Sequence, residues 1–439
     1  MSIKNNSFFL IVTLSLIISY MPAKTYGEDN TINPIKLDEK KDIENPTKLS
    51  LKQALDEAME NNHHVKSAIA TLPISEANII IAKYRPNPYI FSYRENAKGG
   101  AMHPSDVTKD FEIGRKRYWR IRLAKEQVSK TELEISKILW EVHTQVHSTY
   151  AALSTGIDLF DLAKARVDFY KSLIDIADKR FQAGDVSKLE LNRAKMQLLS
   201  AENDFSEFEG RLKKAKVDFN HILGRDSYSE INLEKPEELK PKIKIDEYKP
   251  IKNILADALS KRIEVAILEK DFGIARAQIK KSQWERIPNF NLQAGPVKPN
   301  VNDHYWGLYT GLGAELPLFN RKQGEIKQAK AQVAYLEKER ERIEHDINIQ
   351  VANSLQDLKV REEQVQRFQD NLLGESENIL EMIQEGYKQG KLSLTDVLNA
   401  EQQNRDLRQR YLESVLNYQL ALAGLEYSVG VPLYGLTEK

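Results

Sequence analysis

Tyr305-Trp306-Gly307-Leu308-Tyr309-Thr310-Gly311-Leu312-Gly313-Ala314-Glu315-Leu316 is the stretch on which the fold turns. Trp306, Leu308, Leu312, Ala314 and Leu316 fall on one parity, with Thr310 its one polar member. The other parity carries only tyrosine, glycine and glutamate. Side chains alternate across a strand, so this is a strand with one apolar face and one small or polar face. About ten residues of such alternation match a tilted strand crossing a bilayer, lipid on one side and water on the other. Its aromatic start, Tyr305-Trp306, suits an interfacial girdle. Trp306, Leu308, Leu312, Ala314 and Leu316 are therefore the expected lipid-facing set. An ordinary soluble hairpin is the competing reading.

Other extended segments surround it. Asn289 to Gly295 places Phe290, Leu292 and Ala294 on one face. Earlier in the chain, Tyr89, Phe91 and Tyr93 alternate with Ile90, Ser92 and Arg94, and Val107 to Ile113 returns. Four strands cannot close a barrel, and open edges are not tolerated in hydrocarbon. Copies must therefore pool their strands. Two copies give eight strands and a filled interior; three give twelve and can leave a lumen.

The chain is a tandem duplication. Arg180 to Gly224 aligns with Gly386 to Gly430 at a constant offset of 206 without a gap. Gly184 then meets Gly390, Ser187 meets Ser393, Ala194 meets Ala400 and Gln197 meets Gln403. Upstream, Phe111-Glu-Ile-Gly-Arg-Lys-Arg parallels Leu316-Pro-Leu-Phe-Asn-Arg-Lys. The expected organisation is a first repeat over 50–224, a linker over 225–250, a second repeat over 251–430 and a tail over 431–439. Each repeat reads as a helix, two strands, a long helix and a second helix. The first helix starts at Ser50, which with Gln53 has the form of a capping box, and ends before Pro86. Its counterpart runs from Ile251 to Glu285. The long helices, Lys116 to Phe181 and Lys322 to Tyr387, extend roughly 100 Å at about 1.5 Å per residue. The two shorter helices of each repeat together reach the same length. Ile343, Ile347, Val351, Leu355, Leu358 and Val365 recur at spacings of four, three or seven, a narrow stripe suited to coiled-coil packing. Three copies with four columns each would ring a bore of roughly 25–30 Å, taking about 10 Å between helix axes. A soluble periplasmic coiled-coil scaffold would use the same helices but not the strands.

Residues 1–27 read as a secretory signal, with Lys4 ahead of an apolar run from Phe8 to Ile18 and Thr25-Tyr26-Gly27 at the cleavage position. A polar leader spans 28–49. No later window approaches eighteen apolar residues, so any crossing is by strands. The chain has no cysteine, which excludes disulfides, thiolate metal sites and an acylated N-terminal cysteine. Its 64 basic and 64 acidic residues are interspersed, so nucleic acid finds no basic footprint. No phosphate loop, nucleophile elbow or acid–base carboxylate pair appears, and neither an enzyme nor a cofactor is expected. His143 and His147 lie four apart, a spacing that can chelate a metal, but no third ligand accompanies them. An inter-helix or solvated pair is the alternative, and no metal site is assigned.

These motifs resemble the outer-membrane efflux protein (TolC-type) family from Leu49 to Gly430. The residues that carry the likeness are Phe111-Glu-Ile-Gly-Arg-Lys-Arg, Leu316-Pro-Leu-Phe-Asn-Arg-Lys-Gln-Gly-Glu-Ile and Gly386-Tyr-Lys-Gln-Gly-Lys-Leu-Ser-Leu-Thr-Asp-Val-Leu-Asn-Ala. The first two resemble the heavy-metal (cobalt–zinc–cadmium type) branch. The resemblance implies a homotrimer whose four strands per protomer form a twelve-stranded outer-membrane barrel above a periplasmic α-barrel. It also implies a periplasmic adaptor and an inner-membrane pump, of the resistance-nodulation-division type in the metal branch. A type I secretion component would share the fold and differ in its partners.

By the same resemblance, the helical turns are adaptor-docking tips: Gly184, Val186, Ser187 and Leu189, then Gly390, Leu392, Ser393 and Leu394. Efficient turn chemistry alone also explains a glycine closing one helix and a serine opening the next. Asp396 stands where the family places a pore-narrowing aspartate, with Glu190 as its counterpart in the first repeat. Ser393-x-x-Asp396 and Ser187-x-x-Glu190 also read as capping boxes. Where the family can carry a second aspartate this chain has Asn399, which leaves one acidic ring and implies weaker cation block.

Overall fold

The computed structural model describes residues 48–91, 106–233, 251–298, 305–369 and 372–431. The signal, nearly all of the leader, Ser92, Tyr93, Arg94, most of the linker and nearly all of the tail lie outside them. In the first half, α1 (Leu51–Asn61), α2 (His63–Ile69) and α3 (Leu72–Lys83) precede β1 (Tyr89–Phe91) and β2 (Asp106–Phe111). Then come α4 (Lys116–Gln182) and α5 (Lys188–Leu223). The second half repeats the order with α6 (Ile251–Lys261), α7 (Ile263–Trp284), β3 (Phe290–Val297) and β4 (Gly307–Ala314). It closes with α8 (Gln323–Gln369), α9 (Leu372–Lys388) and α10 (Leu394–Val429). Helix α4 runs unbroken for 67 residues. Its counterpart is α8 followed by α9, with residues 370 and 371 outside the described set.

The single helix expected over 50–84 is three. It begins as expected: Ser50 Oγ accepts from the Gln53 amide at 3.3 Å, and Gln53 Oε1 accepts from the Ser50 amide at 2.9 Å. The break at Asn62 has a tertiary cause. Asn62 Oδ1 accepts from the amides of His64 and Val65, capping α2, while its Nδ2 donates to the Ile222 carbonyl at 2.7 Å. One side chain thus starts one helix and satisfies the last turn of α5. Gly224, with φ +74°, seats that turn so closely that a Cβ would lie 2.3 Å from the Asn61 carbonyl oxygen. In the second half the expected helix breaks at Arg262, whose Nη1 donates to the Ser428 and Tyr427 carbonyls at the end of α10. Asn62→Ala is expected to cost about 2 kcal/mol, since it loses a cap and strands a buried carbonyl. A thermal unfolding midpoint unchanged from wild type would refute that account.

The four strands form one antiparallel sheet in the order β1-β2-β3-β4. Cross-strand partners share a face. Ile90, Val107 and Ala294 line up on one face, as do Leu292 with Leu312, Phe290 with Ala314 and Pro296 with Leu308. Thr108, Asp110, Asn291, Gln293, Gly311 and Gly313 occupy the other, where Gln293 Nε2 donates to Asp106 Oδ2 at 2.9 Å. The sheet is apolar on one side and polar on the other. β4 is eight residues long, so Trp306 and Leu316 of the expected set lie just beyond its ends. In β1 it is Ile90 that joins the apolar face, while Tyr89 and Phe91 share the polar one. Lys109 is the one charge on the apolar face among the described residues, and its ammonium reaches back to the Pro86 carbonyl.

Helix packing follows the strand order. α3 packs on α4, α4 on α7 and α7 on α8. The expected stripe on α8 is inward: Ile347, Val351, Leu358 and Val365 are buried against Tyr418 and Leu422 of α10, with Ile343 and Leu355 at the margin. One stretch departs from the hydropathy expectation. His63–Lys83 is long and apolar enough to cross a membrane. It is interrupted, however, after Ile69 and resumes at Leu72 with Pro73 in the first turn. Its exposed Ile74, Ile80 and Ile81 lie along the open flank of α3.

Candidate functional site

The two helical tips are built alike. Gly184 and Gly390 adopt φ of +83° and +75°, a left-handed conformation that glycine enters at little cost and that strains a residue with a Cβ. The Asp185 amide donates to the Arg180 carbonyl and the Lys391 amide to the Gly386 carbonyl, both at 2.9 Å, which closes each helix on itself. Ser187 and Ser393 then open the next helices, their hydroxyls accepting from the Glu190 and Asp396 amides at 3.3 Å.

The two acids diverge at this point. Asp396 Oδ2 accepts from the Ser393 amide at 2.9 Å and from its hydroxyl at 2.7 Å, completing a capping box. Donation by the Ser393 hydroxyl, then by its amide, holds the Asp396 carboxyl below the usual aspartate range. The stabilisation it lends is therefore whole above the unfolded-state value and is lost as pH falls through the lowered one. The box expected at Ser187 is left half-made, because Glu190 turns elsewhere: its Oε1 accepts from the Tyr387 hydroxyl at 3.2 Å. Tyr387 is fully buried, and burial followed by the Glu190 carboxylate pushes its hydroxyl up to about 12. Arg180 lies over the Tyr387 ring at 4.7 Å and its Nη1 donates to the Tyr387 carbonyl at 3.0 Å. Arg180, Tyr387 and Glu190 thus stitch the tips of the two halves together. Neither Arg180 nor Tyr387 stood out in the sequence, though each sits three or four residues before its tip glycine.

Among the expected tip residues, Ser187, Leu189, Leu392 and Ser393 are exposed and Val186 is half-buried. Leu394 departs from the expectation. It is only 3% exposed and packs with Tyr387, Val397 and Ala194 beneath the turn, because its position faces the core once Ser393 caps the helix. It leaves the docking set. Asp396 and Asn399 are both exposed on α10.

Further along the same helices lies a buried ionic cluster. Arg166 on α4 faces Glu401 on α10, Nε to Oε1 at 3.3 Å, and also pairs with Asp204 on α5. The Tyr170 hydroxyl donates to Glu401 Oε2 at 2.5 Å. Burial works against the charged guanidinium, but Glu401, Tyr170 and Asp204 outweigh it and raise the Arg166 pKa. His147 is an inter-helix residue: it is buried with Nδ1 3.2 Å from Glu426 Oε2 of α10. His143 stacks on Trp140 at 4.9 Å, and burial lowers its pKa although Glu426 opposes the shift. The spacing that could chelate is spent on packing.

The sequence profile of the family described as outer membrane efflux protein matches residues 105–225 and 254–431, well over half of the chain and one segment in each repeat. The chain belongs to this family. The efflux protein is an outer-membrane channel subunit, not an enzyme, of the class that works with periplasmic adaptors and inner-membrane pumps. It is 23% identical over 370 residues to the cobalt-zinc-cadmium resistance protein CzcC of Cupriavidus metallidurans, covering 83% of this chain and 86% of that one. It is 20% identical over 305 residues to the outer membrane protein TolC of Escherichia coli, 63% of this chain and 60% of that one. The fold matches the crystal structures of CusC with a TM-score of 0.70 at 18% identity, over 87% of this chain and 92% of that one. It also matches VceC of Vibrio cholerae with a TM-score of 0.68 at 14% identity, over 87% and 96% of the two chains.

Proposed function

We propose that this efflux protein acts as a homotrimer that takes metal cations from a periplasmic adaptor and a resistance-nodulation-division type pump, and releases them outside the cell. Supporting the trimer is one observation above the rest: among the described residues, the strand order and the helix order leave open edges on the same two flanks. β1 and α3 bound one flank, and β4 and α8 bound the other. Exposed Ile74, Ile80 and Ile81 line the first, and exposed Tyr335 and Ile349 line the second. Unlike edges that meet head to tail close into a ring, and three copies give twelve strands with room for a lumen. Ile80→Glu combined with Ile81→Glu is expected to keep the helical content yet remove the heat-sensitive oligomer on gels. A trimer of wild-type stability would overturn the arrangement.

The cargo reading is supported by the relative whose name denotes cobalt, zinc and cadmium resistance. A wide conduit need not coordinate what it conducts. Deleting the gene should sensitise cells to those cations, and complementation should restore resistance. Sensitivity confined to organic drugs or loss of protein secretion would reject metals. The mature chain is proposed to start near residue 28, after signal cleavage.

Docking to the adaptor is assigned to Gly184, Val186, Ser187, Leu189, Gly390, Leu392 and Ser393. The gate is assigned to Asp396, with Asn399 in place of a second carboxylate and Glu190 held by Tyr387. One ring of three carboxylates makes a weak site for multivalent cations. Asp396→Ala is expected to abolish what block a trivalent cation produces in single-channel recordings. Block at wild-type strength would leave Asp396 as a helix cap only.

A further inference from the structure

The apolar outer face of the sheet does not end with its last row, Phe111, Phe290 and Ala314. It continues into the connection between β4 and α8 through Leu316, Leu318 and Phe319, which are 65%, 61% and 92% exposed. Large apolar side chains that bare are costly in water and mark a contact surface.

Two arginines are fixed beside them. Arg286 Nε donates to the Arg321 carbonyl at 2.8 Å, and Arg321 Nε donates to the Leu318 carbonyl at 3.2 Å. These bonds hold both side chains to the loop but neutralise neither, and neither has a carboxylate partner among the described residues. Of the nearby acids, Glu112 pairs with Arg120, Glu285 with Lys281 and Glu325 with Lys322, while Glu315, exposed in the same connection, pairs with neither arginine. Exposed Arg85 and Arg115 lie in the other connections at this same end of the sheet. Anchored, unneutralised guanidiniums next to bare leucine and phenylalanine, continuous with a lipid-facing wall, match a phospholipid chemically. Its phosphate takes the N–H donors, and its acyl region takes the apolar side chains.

We propose that Arg286 and Arg321, with Leu318 and Phe319, form a docking site for anionic phospholipid at the periplasmic side of the outer membrane. The site rests on the placement of the sheet in that membrane. The purified channel is reconstituted in nanodiscs of phosphatidylglycerol or of phosphatidylcholine, and lipids retained after delipidation are counted by native mass spectrometry. The wild type should retain phosphatidylglycerol preferentially. Arg286→Gln with Arg321→Gln should lose about fivefold of that preference per arginine, while Arg286→Lys with Arg321→Lys should keep most of it. Phe319→Ser should lower retention of both lipids without altering the preference. Equal retention of the two lipids by a well-inserted wild type overturns the site alone, whereas failure to enter either nanodisc overturns the membrane placement as well. If the glutamine pair dissociates the oligomer in both lipids, the arginines join copies of the chain and the proposal fails.

Discussion

Leu312→Arg is expected to abolish assembly of the channel in the outer membrane. Leu312 is 75% exposed in the third-to-last position of β4, opposite Leu292, on the apolar side of the sheet. A cation on the lipid face of a barrel costs about 2–4 kcal/mol near the midplane. Three copies of the cost in a trimer come to roughly 6–12 kcal/mol, which rivals the whole stability of an ordinary domain. Asn291 lies in the neighbouring row on the polar side, paired with Gly313. Asn291→Arg should therefore assemble nearly as well as wild type. Heat-modifiable oligomer in the outer-membrane fraction reads both variants. If Leu312→Arg assembles while Asn291→Arg does not, the lipid and lumen faces have been exchanged.

The second large effect is expected inside the helices. Glu401→Ala would take one carboxylate from Arg166, leaving it Asp204, and would strip the buried Tyr170 hydroxyl of its acceptor, a combined cost of about 3 kcal/mol. Arg166, Glu401 and Tyr170 are each at most 8% exposed, so water cannot take over the vacated role. Replacing both charges, Arg166→Met with Glu401→Leu, should recover most of the loss, because an apolar pair of similar volume often serves as well. A denaturation series on the two single variants and the double separates the pair energy from packing. Losses that simply add would show that Arg166 and Glu401 do not act together.

Much of this architecture was legible in the residues. The tip glycines and serines declare themselves because a left-handed turn needs Gly184 or Gly390 and a helix start needs Ser187 or Ser393, whatever surrounds them. The alternation from Gly307 to Ala314 is equally local. The breaks at Asn62 and Arg262 were not legible, since apolar spacing continues through both. Their cause is a carbonyl far away in sequence, Ile222 for one and Ser428 for the other. Leu394 carried the same difficulty: its letter suits a docking tip, and only its neighbours Tyr387 and Val397 make it core.

By itself the sequence determined the duplicated helix–strand–strand–helix–helix order, the two turns and the two-faced strand, because backbone conformation and side-chain alternation act over a few residues. Only the tertiary structure decided where Glu190 points, that Arg166 meets Glu401, that His147 is spent on Glu426, and which flanks stay open. Those depend on which helices become neighbours, and burial and hydrogen bonding choose partners by distance in space, which short-range patterns in a chain do not encode.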